Sequence, residues 1–195
     1  IIKVSKMENT EFGARLNSFK LGLSKTEIEE VGNLTLALLR RASKAGLTCA
    51  DLNFPDHLSN LEIKQLKNFL KNNIIKINGL AMRYYTSPKF KLGAFTNPEK
   101  TVRRLAIDET KKGLDLAASL DCKTMTLWMG QDGLDYSFQA NFSKMWDDTI
   151  MAMQELADHN QNINISIEYK PNEPRAFSLM PDVATTLLAL AEINR

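Results

Sequence analysis

Five short apolar segments, each too brief for a core helix, alternate with amphipathic helices along the chain. This alternation limits the fold more than any other feature. LTCADLNF, IIKINGLAM, CKTMTLWM and INISIEY each suit a strand buried on both faces, and FGARLNSF near the start is a weaker candidate of the same kind. Between them the apolar residues recur at three and four. Ser24 opens the first helix, with Glu27 three residues on, the spacing at which the two side chains satisfy each other's free amides. Its stripe of Ile28, Val31, Leu34, Leu38, Leu39 and Ala42 is predicted to run on to Gly46, which closes it. Further helices are predicted over about 60–71, from Asn97 with Pro98 at the first helical position, over about 142–159, and after Pro181.

Strand followed by helix, repeated at roughly 35–40 residues per repeat, implies an α/β fold with a parallel sheet and right-handed crossovers. No Pro-, Gly- or Ser-rich linker divides the chain, so a single domain is expected. Two parallel architectures compete. An open dinucleotide-binding sheet needs a glycine-rich turn after its first strand, and NSFKLGLSKT has neither G-x-G-x-x-G nor G-K-[ST]. In a barrel the chemistry sits beyond the C-terminal ends of the strands, which is where this chain carries its unusual residues.

Composition excludes several alternatives. With 44% apolar and 25% charged residues and no run of about eighteen apolar residues, a soluble chain that spans no membrane is expected. Cys49 and Cys122 lack metal-ligand spacing and sit in apolar runs, so buried thiols in a reducing cytoplasm are expected. Residues 1–112 hold 20 Lys and Arg against 11 Asp and Glu, and residues 113–195 hold 5 against 12. The basic residues are spread through helical segments such as KQLKNFLKNNIIK with few aromatics between them, which reads as solvated helix faces and not as a nucleic-acid surface.

The strongest chemical signal lies in NISIEYKPNEPR. Side chains alternate across a strand, so Ile165, Ile167 and Tyr169 face one way, towards helices, and Ser166, Glu168 and Lys170 face the other. Glu168 and Lys170 then stand in the mouth of the barrel with α-carbons roughly 6–7 Å apart. A carboxylate there can bind a hard divalent cation and an ammonium can polarise a substrate oxygen; a buried ion pair that contributes only order fits the same spacing. Trp128 ends the fourth strand on one face with Thr124 and Thr126, and reads either as core or as the wall of a pocket. In the loop that follows, Asp132 and Asp135 suit hydroxyl contacts or loop capping. His159, at a helix end, is expected to cap carbonyls.

The run IEYKPNEPR, followed by a proline-started helix, closely resembles a segment of the xylose isomerase-like TIM barrels, especially the xylose and L-rhamnose isomerases. The resemblance implies a (β/α)8 barrel of which this chain supplies about the first five strand–helix repeats. It makes Glu168 a metal ligand and Lys170 the catalytic residue that contacts the carbonyl-end oxygen of the sugar. Glu173 falls on the family's glutamate before proline, a carboxylate that supports the ligands without being one, with Arg175 beside it, and the bond to Pro174 is expected to be cis. Trp128 becomes a wall of the sugar pocket, with Asn53 and Asp132 as further sugar contacts. Asn53 stands where these isomerases place a histidine, and His57, four residues on, either reaches back into the pocket as a catalytic group or is an ordinary surface histidine.

The function implied is a divalent-metal-dependent aldose–ketose isomerase using Mn²⁺, Co²⁺ or Mg²⁺, with two ions in a complete barrel. A sugar epimerase is the alternative, in which two carboxylates on opposite sides of the substrate trade a proton; a non-catalytic remnant is a further one. An abasic-site endonuclease of the same barrel should show several early histidines, and this chain has two in all. The implied partner is a small sugar, with neither nucleic acid nor membrane, in a cytoplasmic dimer or tetramer. A barrel of this kind takes about 250 residues, and 195 accommodate five repeats. Three further repeats are expected after Arg195, Ile1 is not expected to be a natural start, and the chain as given is expected to lack activity.

Overall fold

The computed structural model describes residues 11–193, which divide into two compact units, 11–52 with 57–78 and 53–56 with 79–193. In the first unit, β1 (Gly13–Arg15) runs parallel to the start of β2 (Cys49–Phe54), whose last two residues belong to the second unit, with Gly13 opposite Cys49 and Arg15 opposite Asp51. Cys49, Ala50 and Leu52 are all buried, the continuous burial of a strand covered on both faces. FGARLNSF supplies only three strand residues before turning into a 3₁₀ helix at Leu16–Phe19.

The helix read from Ser24 to Gly46 is two helices, α1 (Lys25–Glu29) and α2 (Leu34–Lys44). Gly32 sits at φ 72°, in the left-handed region, and Asn33 then starts again, its Oδ1 accepting from the amides of Thr35 and Leu36. The Ser24–Glu27 capping box forms as expected, and Gly46 follows the end of α2 at φ 86°. Arg41 of α2 holds this region together. Its Nε and Nη2 donate to the two oxygens of Glu27 at 2.7 and 2.9 Å, while Nη1 and Nη2 reach the carbonyls of Leu21 and Gly22 at 2.9 and 2.8 Å. The third helix, α3 (Ile63–Asn73), begins three residues later than read and ends at Ile74 in the left-handed region.

The second unit is built on β3 (Lys76–Met82), which starts in the first unit and enters this one at Gly79. It runs parallel to β4 (Thr124–Leu127), which runs parallel to β6 (Asn164–Ile167). Two crossover helices join them, α4 (Lys100–Ser119) and α5 (Phe142–His159). Pro98 is not at the first turn of α4. Asn97 Oδ1 instead accepts from the Glu99 amide, a turn that delays the helix to Lys100. Residues after Gln131 form β5 (Gly133–Leu134), which pairs antiparallel with β7 (Phe177–Ser178), two strands too short to leave a sequence pattern. The last helix is α6 (Val183–Ile193), whose first turn is capped by Asp182 Oδ1 accepting from the Thr185 amide.

On β6 the expected face holds for Ile165 and Ile167, which with Met153 and Leu190 line a cavity of ≈ 290 Å³ against α5 and α6. Tyr169 lies past the end of the strand and is 49% exposed, not packed on helices. Among the described residues β6 pairs with β4 alone, and Leu187 and Leu188 of α6 are 60% and 55% exposed. Both thiols are buried and unbridged. His159 does not cap carbonyls; its Nε2 lies 2.8 Å from Asp115 Oδ1. No described helix is long and apolar enough to cross a membrane.

The Arg41 hydrogen bonds, with the Ser24 amide, hold the Glu27 carboxyl down at about 2. A carboxylate held low in the folded state stabilises it above its unfolded value of about 4.5, and that contribution is lost as the pH falls towards about 2. Glu27→Gln should therefore be less stable than the native chain at pH 6, with the difference shrinking between pH 4.5 and 2. Urea unfolding followed by circular dichroism across that range checks this, and a difference that grows on acidification would contradict it.

Candidate active site

The parallel register of β4 and β6 places Leu127 opposite Ile167, so the residues just beyond, Trp128 and Glu168, emerge at one end of the sheet. The Glu168 amide donates to the Leu127 carbonyl at 2.9 Å and prolongs the pairing by one rung. Two residues on, the Lys170 amide donates to the Met180 carbonyl at 3.1 Å. Trp128, Glu168 and Lys170 thereby line one small pocket with Met129, Ser178 and Met180. Lys170 Nζ stands 5.5 Å from the centroid of the indole and is ion-paired with Glu173, whose carboxyl it pulls below the usual range.

Glu173 lies at φ 68° with a cis bond to Pro174, and its amide donates to the Arg175 carbonyl at 2.8 Å, so the turn presents the carboxylate back to Lys170. A second, open cleft of ≈ 380 Å³ adjoins the first across Trp128 and is lined by Tyr85, Trp128, Gln131, Glu173 and Pro174. Tyr85 meets the indole edge-on, with centroids 4.8 Å apart. Sequence reasoning missed it, although an aromatic pair directly after the third strand stands where barrel chemistry is sited. Gly130 leaves room for the indole: a Cβ there would fall 2.6 Å from Trp128 Cζ2.

Asp132 and Arg175 hold the loops behind these groups. Of the two readings given to Asp132, loop capping is the one its geometry matches. Its carboxylate is buried and accepts from the Ala94 amide at 3.1 Å, the Thr96 amide at 2.7 Å and Thr96 Oγ1 at 2.8 Å. Those hydrogen bonds tie the loop after β4 to the segment before α4. Burial pushes its carboxyl up, against the hydrogen bonds from Thr96 and Ala94 that favour the charged form. Arg175 donates to Asp135 at 2.7 Å and to the carbonyls of Gln131 and Lys91 at 3.2 and 2.9 Å, so Asp135 too is occupied. A phenylalanine carbonyl fixes the same segment: a Cβ on Gly133 would stand 2.2 Å from Phe177 O, so only glycine lets β5 and β7 meet.

The structure thus brings together Trp128, Glu168, Lys170 and Glu173, with Arg175 bracing the turn. Asn53 is buried in β2. His57 belongs to the first unit, where its Nε2 lies 3.1 Å from Asn17 Oδ1 and its carbonyl accepts from Thr35 Oγ1 at 2.7 Å. Among the described residues no three His, Cys, Asp or Glu side chains gather closely enough to hold a metal ion. A hard divalent ion takes about six oxygen ligands, and Glu168 is the one carboxylate lining the small pocket, so the described residues do not complete such a site.

Residues 39–188 match the model of the xylose isomerase-like TIM barrel. The chain belongs to this family. Over 137 residues it is 27% identical to the xylose isomerase of Thermus thermophilus, an alignment that takes in 68% of this chain and 35% of that enzyme. Its fold is similar to that of D-allulose 3-epimerase from Methylomonas sp., at 17% identity and a TM-score of 0.70, covering 95% of this chain and 59% of the epimerase. It is also similar to an IOLI protein with a bound zinc atom, at 15% identity and a TM-score of 0.65, over 95% of this chain and 60% of that one. The chain therefore spans about a third of the curated relative and three-fifths of these solved barrels.

Replacing Asp132 with alanine would leave the buried amides of Ala94 and Thr96 without acceptors. At about 1–3 kcal/mol for each buried group the expected loss is roughly 3 kcal/mol, or roughly 6–12 °C in Tm. Differential scanning calorimetry of Asp132→Ala tests this, and a Tm within about 1–2 °C of the native value, on the same scale, would show that those amides find other partners.

Proposed function

We propose that this chain carries part of the active site of a sugar isomerase that interconverts an aldose and a ketose. The observation that supports it is the meeting of Trp128, Glu168 and Lys170 in one pocket beyond the ends of β4 and β6. An indole offers a flat apolar surface to the C–H face of a sugar, while an ammonium beside it donates hydrogen bonds to oxygen at the carbonyl end. In such a reaction one hydrogen moves from C2 to C1 and one proton from O2 to O1, with no net oxidation. Lys170 stabilises the charge that grows on oxygen during that transfer, and Glu173 and Trp128 hold its ammonium in place. The 27% identity to a xylose isomerase supports this assignment.

Glu168 is proposed as one ligand of a divalent ion, Mn²⁺, Co²⁺ or Mg²⁺, whose remaining ligands lie outside the described residues. In the same reading the described residues form the first five strand–helix repeats of a (β/α)8 barrel. The one-sided pairing of β6 and the exposed Leu187 and Leu188 support this, since both suit a further repeat. Asn53 remains a proposed pocket residue, and a dimer or tetramer the proposed assembly.

A second reading, a ketose 3-epimerase, is favoured by the likeness of fold to the Methylomonas D-allulose 3-epimerase. Both reactions rearrange hydrogen at a carbon beside a carbonyl and differ in product. The test is to express the whole reading frame that contains these residues and incubate it with Mn²⁺ or Co²⁺ and a panel of free aldoses and ketoses. Aldose-to-ketose conversion is expected, and Lys170→Met and Glu168→Gln should each lower kcat/KM by at least roughly 100-fold while leaving the circular dichroism unchanged. A product epimeric at C3 would select the second reading. No turnover of any sugar, or full activity in Lys170→Met, would overturn the proposal.

A further inference from the structure

Arg83 directly follows β3, and its Nε is the buried side-chain nitrogen that has no hydrogen-bond acceptor among the described residues. The side chain is 17% exposed, and the nearest carboxylate oxygen, Asp56 Oδ2, stands 3.9 Å from Nε, an ion-pair distance too long for a hydrogen bond. A buried donor left unpaired is destabilising, and a methionine would fill similar volume without it. What arginine supplies here is a flat cation on an aromatic face: its guanidinium carbon lies 4.4 Å from the centroid of Tyr85. Attraction of this kind strengthens where water is excluded.

The contact does not end at Tyr85. That ring meets Trp128 at 4.8 Å and 70°, and the indole in turn faces Lys170 Nζ at 5.5 Å. The two rings thus connect two cations through successive contacts, Arg83 on Tyr85 and Lys170 on Trp128. Gly130 lies so close to the indole that a Cβ there would fall 2.6 Å from Trp128 Cζ2, and the Tyr85 ring is the aromatic neighbour that meets the same indole. We propose that Arg83 is a positioning residue for the Trp128–Lys170 pair: it seats Tyr85, Tyr85 sets the indole, and the indole sets where the ammonium stands. The functional meaning rests on the isomerase reading of Lys170, but the geometry is tested without it.

Reductive ¹³C-methylation labels lysines as dimethylamines that keep their charge, and Lys170→Arg identifies the resonance of Lys170. In the native chain the Trp128 ring current should displace that resonance upfield, measured as the difference from Trp128→Leu. Arg83→Met is expected to cut this displacement at least by half, while Arg83→Lys retains most of it and the resonances of Lys111 and Lys144 stay in place. Tyr85→Leu, with Arg83 intact, should release Lys170 to the same extent and serves if Arg83→Met does not fold. A native displacement in Arg83→Met or in Tyr85→Leu overturns the proposal, as does an equal loss in Arg83→Lys. Sugar turnover is read separately, so failure of the isomerase reading leaves this result standing.

Discussion

The register between β4 and β6 is the constraint on which the site depends. Parallel strands end on the same side of a sheet, and pairing Leu127 with Ile167 makes Trp128 and Glu168 neighbours although forty residues separate them. A slip of one residue would turn Glu168 and Lys170 towards α5 and α6 and leave Ile167 facing the pocket. The apolar packing of Ile165 and Ile167 against those helices opposes such a slip, so the same residues that build the core also aim the polar groups.

Beyond the strand ends, hydrogen bonds take over from hydrophobic packing. Asp132 is a buried carboxylate, an expensive group to remove from water, and it is tolerated because donors from Ala94 and Thr96 surround it. Breaking such a cluster from one side costs more than never having made it, which ties the loop after β4 firmly to the segment before α4. The antiparallel pair β5–β7 brings the stretch after Glu173 against the same loop, where Leu179 N–H reaches the Asp132 carbonyl at 3.0 Å.

Much of the backbone was legible in the sequence because periodicity and capping are local. Phe142 to His159 bounds α5 as read, Ser24 and Glu27 form their reciprocal cap, and four apolar runs become strands. The breaks were not. Gly32 and Asn33 interrupt an apolar stripe that continues across them, and the turn at Asn97 outweighs the preference of Pro98 for a first helical turn. At the site, alternation along NISIEYK put Glu168 and Lys170 on one face, and both line the pocket that Trp128 also lines. Tyr85 escaped notice because its role comes from a neighbour more than forty residues away, and the two roles open to Asp132 differ only in burial, which a loop sequence does not encode.

Arg175 joins loops that are far apart in the chain, through Asp135 and the carbonyls of Gln131 and Lys91. Each of those segments would otherwise sample many conformations, and a ligand entering the cleft between Tyr85, Trp128 and Glu173 would have to order them as it bound. With one guanidinium already holding all three, that disorder is surrendered during folding. The contact energy a small ligand makes with the cleft walls can then appear more fully as affinity, which matters most for a molecule with few atoms to offer.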